Sequence, residues 1–543
     1  MLPRAEAVRT LTREPFDVLV IGGGITGAGV ALDAATRGYS VALIERNDYA
    51  SGTSSRSSKL VHGGLRYLQN FDLGLVREAL LERQINVNIA PYLTRPLRLI
   101  VPGFEGQRLD RVVGLGLNAY DVMSVDRIRR RRRRGGDESD WSPARHRIIS
   151  GEEVIERIPA LANRAPTSGY LFYDCQTDDS RLVLTVLAEA ERFGVVAANR
   201  LEALGLIDAG GRAAGARVRD KESGDELEIR ATTVVNATGV WADRLRPAEL
   251  YDEAEVPVIR PSRGTHIVVD AEKLPMHGAG AIVPAGSGRT IFVLPWLGQT
   301  LIGTTDTDHG GDVVHVRPAE EDINYLLDAV NAFFGTDLEP DDLAGAYAGV
   351  RPLISTGDSG KSVDISRKAE LYETSSGMIT ITGGKLTTWR RMAKQTVDRI
   401  VERDGNDARC ITHELPLGMA VASSDLVAAP EWARAQLAGR YGHLAHDVLA
   451  VAPSLAEAIV PGRPDLLAEV VYAARREQAR TVGDVLLRRT RLALTAARAL
   501  TPPVVARVAD VLGDELGWDE SRRAREIEAF ALESREEGIL PAP

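Results

Sequence analysis

Between Phe16 and Glu45 the chain reads FDVLVIGGGITGAGVALDAATRGYSVALIE: a short apolar run, a glycine-rich turn, an amphipathic segment and a second apolar run. That order predicts strand, turn, helix, strand. Gly22, Gly24 and Gly27 fit G-x-G-x-x-G, in which the first glycine permits a tight turn, the second lets backbone approach a pyrophosphate and the third packs helix against strand. Amides at the helix start then hold the phosphates. Glu45, about twenty residues on at the end of the second strand, is placed to accept hydrogen bonds from a ribose diol. The helix is expected from Ile25 to Arg37, with Gly38 just past its end as a left-handed cap.

At 543 residues the chain is too long for one ordinary core, so two or three domains are expected. A net charge of −10 argues against nucleic acid as a partner. The two cysteines, Cys175 and Cys410, match no metal-ligand spacing, so no metal is expected and a reducing, cytoplasmic compartment is implied. Arg4, Arg9 and Arg13 before the uncharged run Val18 to Leu32 imitate a signal peptide. Glu6, Glu14 and Asp17 interrupt the basic region, and the glycines keep nucleotide-loop register, so the imitation fails. No uncharged stretch reaches 18 residues, and any membrane association is expected to be peripheral.

Further along, SGTSSRSSK (Ser51 to Lys59) is too polar for a core and suits the wall of a channel beside phosphates or a ring. It continues into LVHGGLRYL (Leu60 to Leu68), where His62 and the pair Arg66, Tyr67 flank two glycines. Leu73 to Asn88 has helical spacing, and Tyr92 to Val101 is extended. The run Arg129 to Arg134 reads either as a solvated loop or as an adsorption patch for anionic lipid. VVNATGVWAD (Val234 to Asp243) is a buried strand ending at a second glycine turn, so the nucleotide domain is expected to be built from separated segments. THIVV (Thr265 to Val269), TIFVLPW (Thr290 to Trp296) and TLIGTTD (Thr300 to Asp306) read as an inserted antiparallel sheet, and Glu320 to Phe334 as a helix. ITITGGKLTTWR (Ile379 to Arg390) repeats strand, glycine turn and helix start. From about Leu426 the composition predicts a separate helical domain without reactive clusters.

Three glycine turns, with HGGLRY after the first, exceed what a nicotinamide dehydrogenase uses and point to flavin. The set SSKLVHGGLRYL, VNATGVW, RGTHIVV, LIGTTD, GVRPL and GGKLTTWR resembles the FAD-dependent, quinone-linked glycerol-3-phosphate dehydrogenases. The resemblance is close from Phe16 to about Ile400 and looser over the C-terminal part, which includes EQARTVGDVLLRRTRL (Glu477 to Leu492). It implies an α/β fold: a glutathione-reductase-like FAD-binding Rossmann domain (1–90, 165–255 and 345–405), an inserted D-amino-acid-oxidase-like antiparallel substrate region (91–164 and 256–344) and a helical C-terminal domain (406–543). It further implies FAD as cofactor, oxidation of sn-glycerol 3-phosphate to dihydroxyacetone phosphate and a membrane quinone as electron acceptor. Peripheral contact with the inner face of the cell membrane follows, and a homodimer is compatible. An oxidase that reduces O2 to H2O2 is the alternative.

The chemistry can be set against the residues. A phosphate dianion needs fixed cations, and Arg66, Arg351 and Lys385, each in a matching motif, form the expected clamp, with Tyr67 adding a hydroxyl. Loss of a proton from the C2 hydroxyl needs a base near neutral pKa, for which His266 and His62 are the candidates; His62 also suits a cofactor contact. Arg263 of RGTH stands where the family has the lysine of KGSH, which keeps the charge and alters the reach. Carried over by resemblance, the cofactor contacts are Gly22, Gly23, Gly24, Ile25, Thr26, Gly27, Glu45, Arg46, Ser54, Ser55, Ser58, Lys59, Leu60, His62, Ala237, Gly239, Lys385, Leu386 and Thr387.

Overall fold

A computed structural model describes residues 1–64, 73–105, 111–123, 145–245, 258–286, 288–355 and 369–540. Arg66, Tyr67 and the run Arg129 to Arg134 lie outside the described residues.

Phe16–Ile21 pairs in parallel with Val41–Ile44 on one side and Glu226–Asn236 on the other, as the two apolar runs around the glycine turn require. Val196–Ala198 and Ile379–Gly383 extend the parallel sheet outward, and Ala369–Glu373 closes one edge in antiparallel sense. Both faces of the central strand are covered, which is why it carries no polar alternation between Val18 and Ile21. The glycine-turn helix, Ile25–Thr36, packs against Asp179–Arg192 and Trp389–Arg403. It ends one residue short of the expected Arg37, with Gly38 at φ 91°.

The second sheet is larger. Val258–Asp270 lies between Leu343–Ser355 and Gln299–Gly303, all antiparallel, and the sheet continues through Thr290–Trp296, Ala279–Pro284, Arg95–Gly103 and Ser168–Gln176. Helix Glu320–Phe334, with the bounds expected from its periodicity, covers one face through Leu326 and Val330 against Ile267 and Val269. Ser168–Gln176 and Leu343–Ser355 belong to this sheet, whereas boundaries drawn at 165 and 345 put most of both strands with the nucleotide-binding unit. Strand pairing overrides the linear division, because each strand finds its buried partner across the fold and not along the chain.

The C-terminal helices differ from expectation in two ways. Their apolar residues Val485, Leu486, Leu494 and Leu512 share one core with Leu99, Phe172, Val268 and Tyr347 of the large sheet. They also carry a dense set of buried charges. Asp48, 1% exposed, accepts Arg488 Nε at 2.6 Å and both Nη atoms of Arg489 at 2.7 and 2.8 Å. Arg181 pairs with Glu477, and Arg491 with Asp178 and Asp179. The helical C-terminal domain is therefore stitched to the nucleotide-binding unit by buried ion pairs. Breaking such a pair leaves an uncompensated buried charge, worth about 3–5 kcal/mol. Asp48→Ala is accordingly expected to lower the thermal midpoint and to make the chain beyond residue 406 sensitive to limited proteolysis; an unchanged midpoint and digestion pattern would refute the role given to this pair.

Candidate functional site

Two adjoining cavities occupy the junction of the sheets, enclosing about 1560 and 900 Å³ of solvent-connected space. The larger runs over the ends of the parallel strands. Gly22, Gly24, Ile25, Thr26, Glu45, Arg46, Ser54, Ala237, Gly239, Lys385 and Leu386 line it. The smaller is lined by Ser58, Leu60, His62, His266, Arg351, Lys385, Leu386 and Thr387. Lys385, Leu386, Thr53 and Ser57 border both.

The turn is built for close approach. Gly22 has φ 119°, and a Cβ there would lie 2.6 Å from the Ala237 carbonyl oxygen. A Cβ on Gly27 would run into the Gly22 carbonyl, so the third glycine packs the helix and does not line the cleft. Gly23 likewise faces inward: its amide donates to Glu45 Oε2 at 2.7 Å, and Asn47 N donates to Oε1 at 2.8 Å. Glu45 is thus oriented at the strand end; burial raises its pKa, opposed by those two amides. Ser54 Oγ accepts the Ile25 amide at 3.0 Å, tying the hydroxyl-rich loop to the helix start.

The smaller cavity takes its chemistry from strand alternation. His266 lies directly opposite Tyr347, Gly264 opposite Gly349, and Ser262 opposite Arg351. Residues two apart share a face, so Gly264, His266, Gly349 and Arg351 all turn to the cavity. His266 stacks on Tyr347 with centroids 4.8 Å apart and planes at 10°, the separation expected of a directly opposed pair. Its Nε2 is 2.8 Å from Ser58 Oγ, while Nδ1 is buried without a hydrogen-bond partner among the described residues. Burial, with the Lys59 and Arg351 cations nearby, holds the imidazole well below its ordinary pKa and hence neutral. Arg351 Nη2 donates to Thr304 Oγ1 at 3.1 Å and to the Thr305 carbonyl at 3.2 Å; Nη1 lies 3.5 Å from Asp306. His62 exchanges hydrogen bonds with Thr387: its amide donates to Oγ1 at 3.0 Å and its carbonyl accepts from Oγ1 at 3.2 Å.

Besides Gly23 and Gly27, three expected contacts fall elsewhere. Arg263 is on the opposite face of the strand that carries His266; it reaches Asp322 at 3.2 Å, beside Thr265 Oγ1 at 2.8 Å, under the covering helix. The same period of two that aims His266 at the cavity turns Arg263 away. Lys59 is wholly buried, its Nζ donating to Asp179 at 2.8 Å and the Ser55 carbonyl at 2.7 Å. Ser55, 4% exposed, serves through that carbonyl and lines neither cavity. Conversely, Thr53, Arg56, Ser57, Trp241 and Glu202 line the cavities without having been singled out. An arginine amid serines in SSRSSK was the visible signal for Arg56. Among the described residues, no group of three or more His, Cys, Asp or Glu could hold a metal ion.

The neutral state of His266 sets a pH dependence. Because its pKa in the folded chain is below the unfolded value of about 6.5, its contribution is present above that pH and is lost as pH falls and the unfolded state takes up the proton. The stability difference between the native chain and His266→Asn is expected to be flat above about pH 6.5 and to shift below it, by up to about 1.4 kcal/mol per pH unit. A difference independent of pH between 5 and 8, measured by denaturant unfolding at several pH values, would refute a neutral buried imidazole.

The model of the FAD dependent oxidoreductase family matches residues 17–399, and that of the C-terminal domain of alpha-glycerophosphate oxidase matches residues 379–523. Glycerol-3-phosphate dehydrogenase 2 of Mycobacterium tuberculosis is 38% identical over 540 residues, covering 96% of this chain and 89% of that protein. The mitochondrial glycerol-3-phosphate dehydrogenase of mouse is 36% identical, covering 97% of this chain and 74% of that one. The crystal structure of the glycerol-3-phosphate dehydrogenase from Bacillus halodurans, complexed with FAD, superposes with a TM-score of 0.77 at 30% identity, covering 98% and 97% of the two chains. The residues here fit that cofactor: Gly22 and Gly24 line the cleft without a side chain, where a pyrophosphate would pass, Glu45 lines it at the strand end, where a ribose would lie, and the cleft adjoins the smaller cavity lined by His62 and His266. The chain belongs to the FAD-dependent oxidoreductase family, and its cofactor is FAD.

Proposed function

We propose that the protein oxidises sn-glycerol 3-phosphate to dihydroxyacetone phosphate, with C2 giving up a hydride and its hydroxyl a proton, and that the electrons pass to a membrane quinone. The observation that carries this reading is a single cavity lined by His266, Arg351 and Lys385 and opening on the cleft of the glycine turn. The relatives named glycerol-3-phosphate dehydrogenase support the substrate. FAD, when bound, supplies the two-electron acceptor.

The remaining work falls to the chain's own groups. Arg351 binds the substrate phosphate; Thr304, Thr305 and Asp306 already hold the plane of its fork, so little ordering remains when the anion arrives. Lys385, at the border of the two cavities, adds a second cation; Arg66 and Tyr67, outside the described residues, belong to the clamp by resemblance. His266, neutral before substrate enters, accepts the hydroxyl proton. The phosphate dianion opposes the cations that depress this imidazole, so its proton affinity rises when substrate is bound. His62 is read as a contact beside the flavin. Helix Arg111–Met123 supports peripheral attachment: Leu115 and Val122, seven residues apart on one face, are 73% and 66% exposed. No helix of the described residues is long and apolar enough to cross a membrane.

Arg351→Ala is expected to raise KM for glycerol 3-phosphate at least about 10-fold, the scale of a charged hydrogen bond, while flavin per chain stays constant. Equal loss of flavin would move Arg351 from substrate to cofactor. Anaerobic titration of the holoprotein with glycerol 3-phosphate should bleach the flavin absorbance, and failure to bleach would end the substrate assignment. The match to an oxidase C-terminal domain keeps O2 as the second acceptor to test. Peroxide formed in step with substrate, without quinone reduction, would replace the quinone reading by that one.

A further inference from the structure

The hydroxyl-rich loop is held from beneath by a charge cluster that no catalytic assignment uses. Asp179, wholly buried, accepts the Ser57 amide at 3.0 Å, Ser57 Oγ at 2.7 Å and Lys59 Nζ at 2.8 and 3.0 Å. Ser57 Oγ in turn accepts the Lys59 amide at 3.0 Å, and the Ser57 carbonyl accepts the Tyr347 hydroxyl at 2.8 Å. Between these two fixed residues sits Ser58, whose hydroxyl meets His266 Nε2. The same Tyr347 stacks on the His266 ring. Two of the contacts that set the imidazole, the Ser58 hydroxyl and the Tyr347 ring, are thus tied to the turn Ser57 to Lys59.

The far side of the cluster belongs to the C-terminal region. Arg491, 1% exposed, bonds to Asp179, to Asp178 Oδ1 at 3.0 Å, to the Ser55 carbonyl at 3.3 Å and to the Leu487 carbonyl at 3.0 Å. It reaches them from a left-handed backbone, φ 68°. A planar fork with five donors can serve these acceptors together, whereas an ammonium would keep the charge and lose the spread. We propose that Arg491 is a positioning residue for the base: through Asp179 it fixes the Ser57–Lys59 turn and with it the Ser58 hydroxyl that orients His266. The proposal rests on His266 being the base, and it gives the C-terminal helical region a part in the reaction.

The test is a double-mutant cycle on the holoprotein. Ser58→Ala is expected to lower kcat about 10-fold or more with KM changed less than about 3-fold, and Arg491→Lys to lower kcat in the same sense. If both act on one imidazole, the double variant falls no further than Ser58→Ala alone; independent, multiplying losses overturn the proposal. Tyr347→Phe keeps the stacked ring and removes only the bond to Ser57, so it interrogates the turn without disturbing a buried charge, and it too should fail to multiply with Ser58→Ala. In protein labelled with [15N]histidine, the ring signals of His266 should move in Arg491→Lys as in Ser58→Ala; signals unmoved by Arg491→Lys also overturn it. His266→Asn separates the premises: a loss below about 10-fold in kcat removes the base itself, whereas a large loss with a multiplying cycle removes only the positioning role.

Discussion

The register between Val258–Asp270 and Leu343–Ser355 decides what this protein can do. Because His266 faces Tyr347 across the ladder, the alternation of each strand sends Gly264, His266, Gly349 and Arg351 to one side and Arg263 and Thr265 to the other. A slip of one residue would exchange those sets and put the imidazole under the covering helix. The glycines matter for the same reason. Gly264 and Gly349 present no side chain between base and cation, and a Cβ on Gly349 would lie 2.7 Å from that of Arg56. The cavity is a property of the ladder: His266 and Arg351, which line it, come from the sheet and not from loops.

Against that sheet the nucleotide-binding unit supplies the wall, and the two are joined by a loop with few apolar residues. Ser51 to Lys59 cannot be held by packing, so charge holds it. Lys59, Asp178, Asp179 and Arg491 form a buried group of two cations and two anions, and the Lys59 ammonium also lies 4.7 Å from the Tyr347 ring. Desolvation pulls the Lys59 pKa down to about 8, while Arg491 and Lys59 hold Asp178 near 2. Buried pairs of this kind give little net stability relative to apolar packing. They do impose a unique geometry, since each donor has a fixed direction and a lost partner is costly. Here that geometry is what a polar loop beside a cofactor needs.

Sequence made the nucleotide half legible almost to the residue. The glycine turn, Glu45 and the helix after it are local: the spacing of a few residues carries the whole physical argument, and the chain folds there as the spacing says. The pairing of His266, Arg351 and Lys385 was accessible through motif resemblance, because each sits beside a glycine that strand geometry requires. What was hidden is non-local. That Arg263 turns away follows from register, which no single stretch contains. That Lys59 is buried depends on Asp178 and Asp179, more than a hundred positions later. The helical region looked independent because its apolar periodicity is self-consistent. Its buried partners, Asp48, Asp178 and Asp179, lie in other segments.

The electrostatics of the smaller cavity then bear directly on catalysis. An empty site with two guanidinium or ammonium groups beside a buried imidazole is strongly biased against protonation, so His266 stays a free base over the physiological range. That same bias makes it a weak acceptor until the field changes. On the proposed reading a dianionic substrate supplies the change as it binds: its charge opposes the field of Arg351 and Lys59 at the imidazole when a proton must be received. A neutral polyol of the same shape would fill the cavity without altering the field, leaving the imidazole depressed. On the proposed reading, discrimination for a phosphorylated substrate is expressed in the chemical step as well as in binding, which is the form of selectivity that raises turnover and not merely affinity.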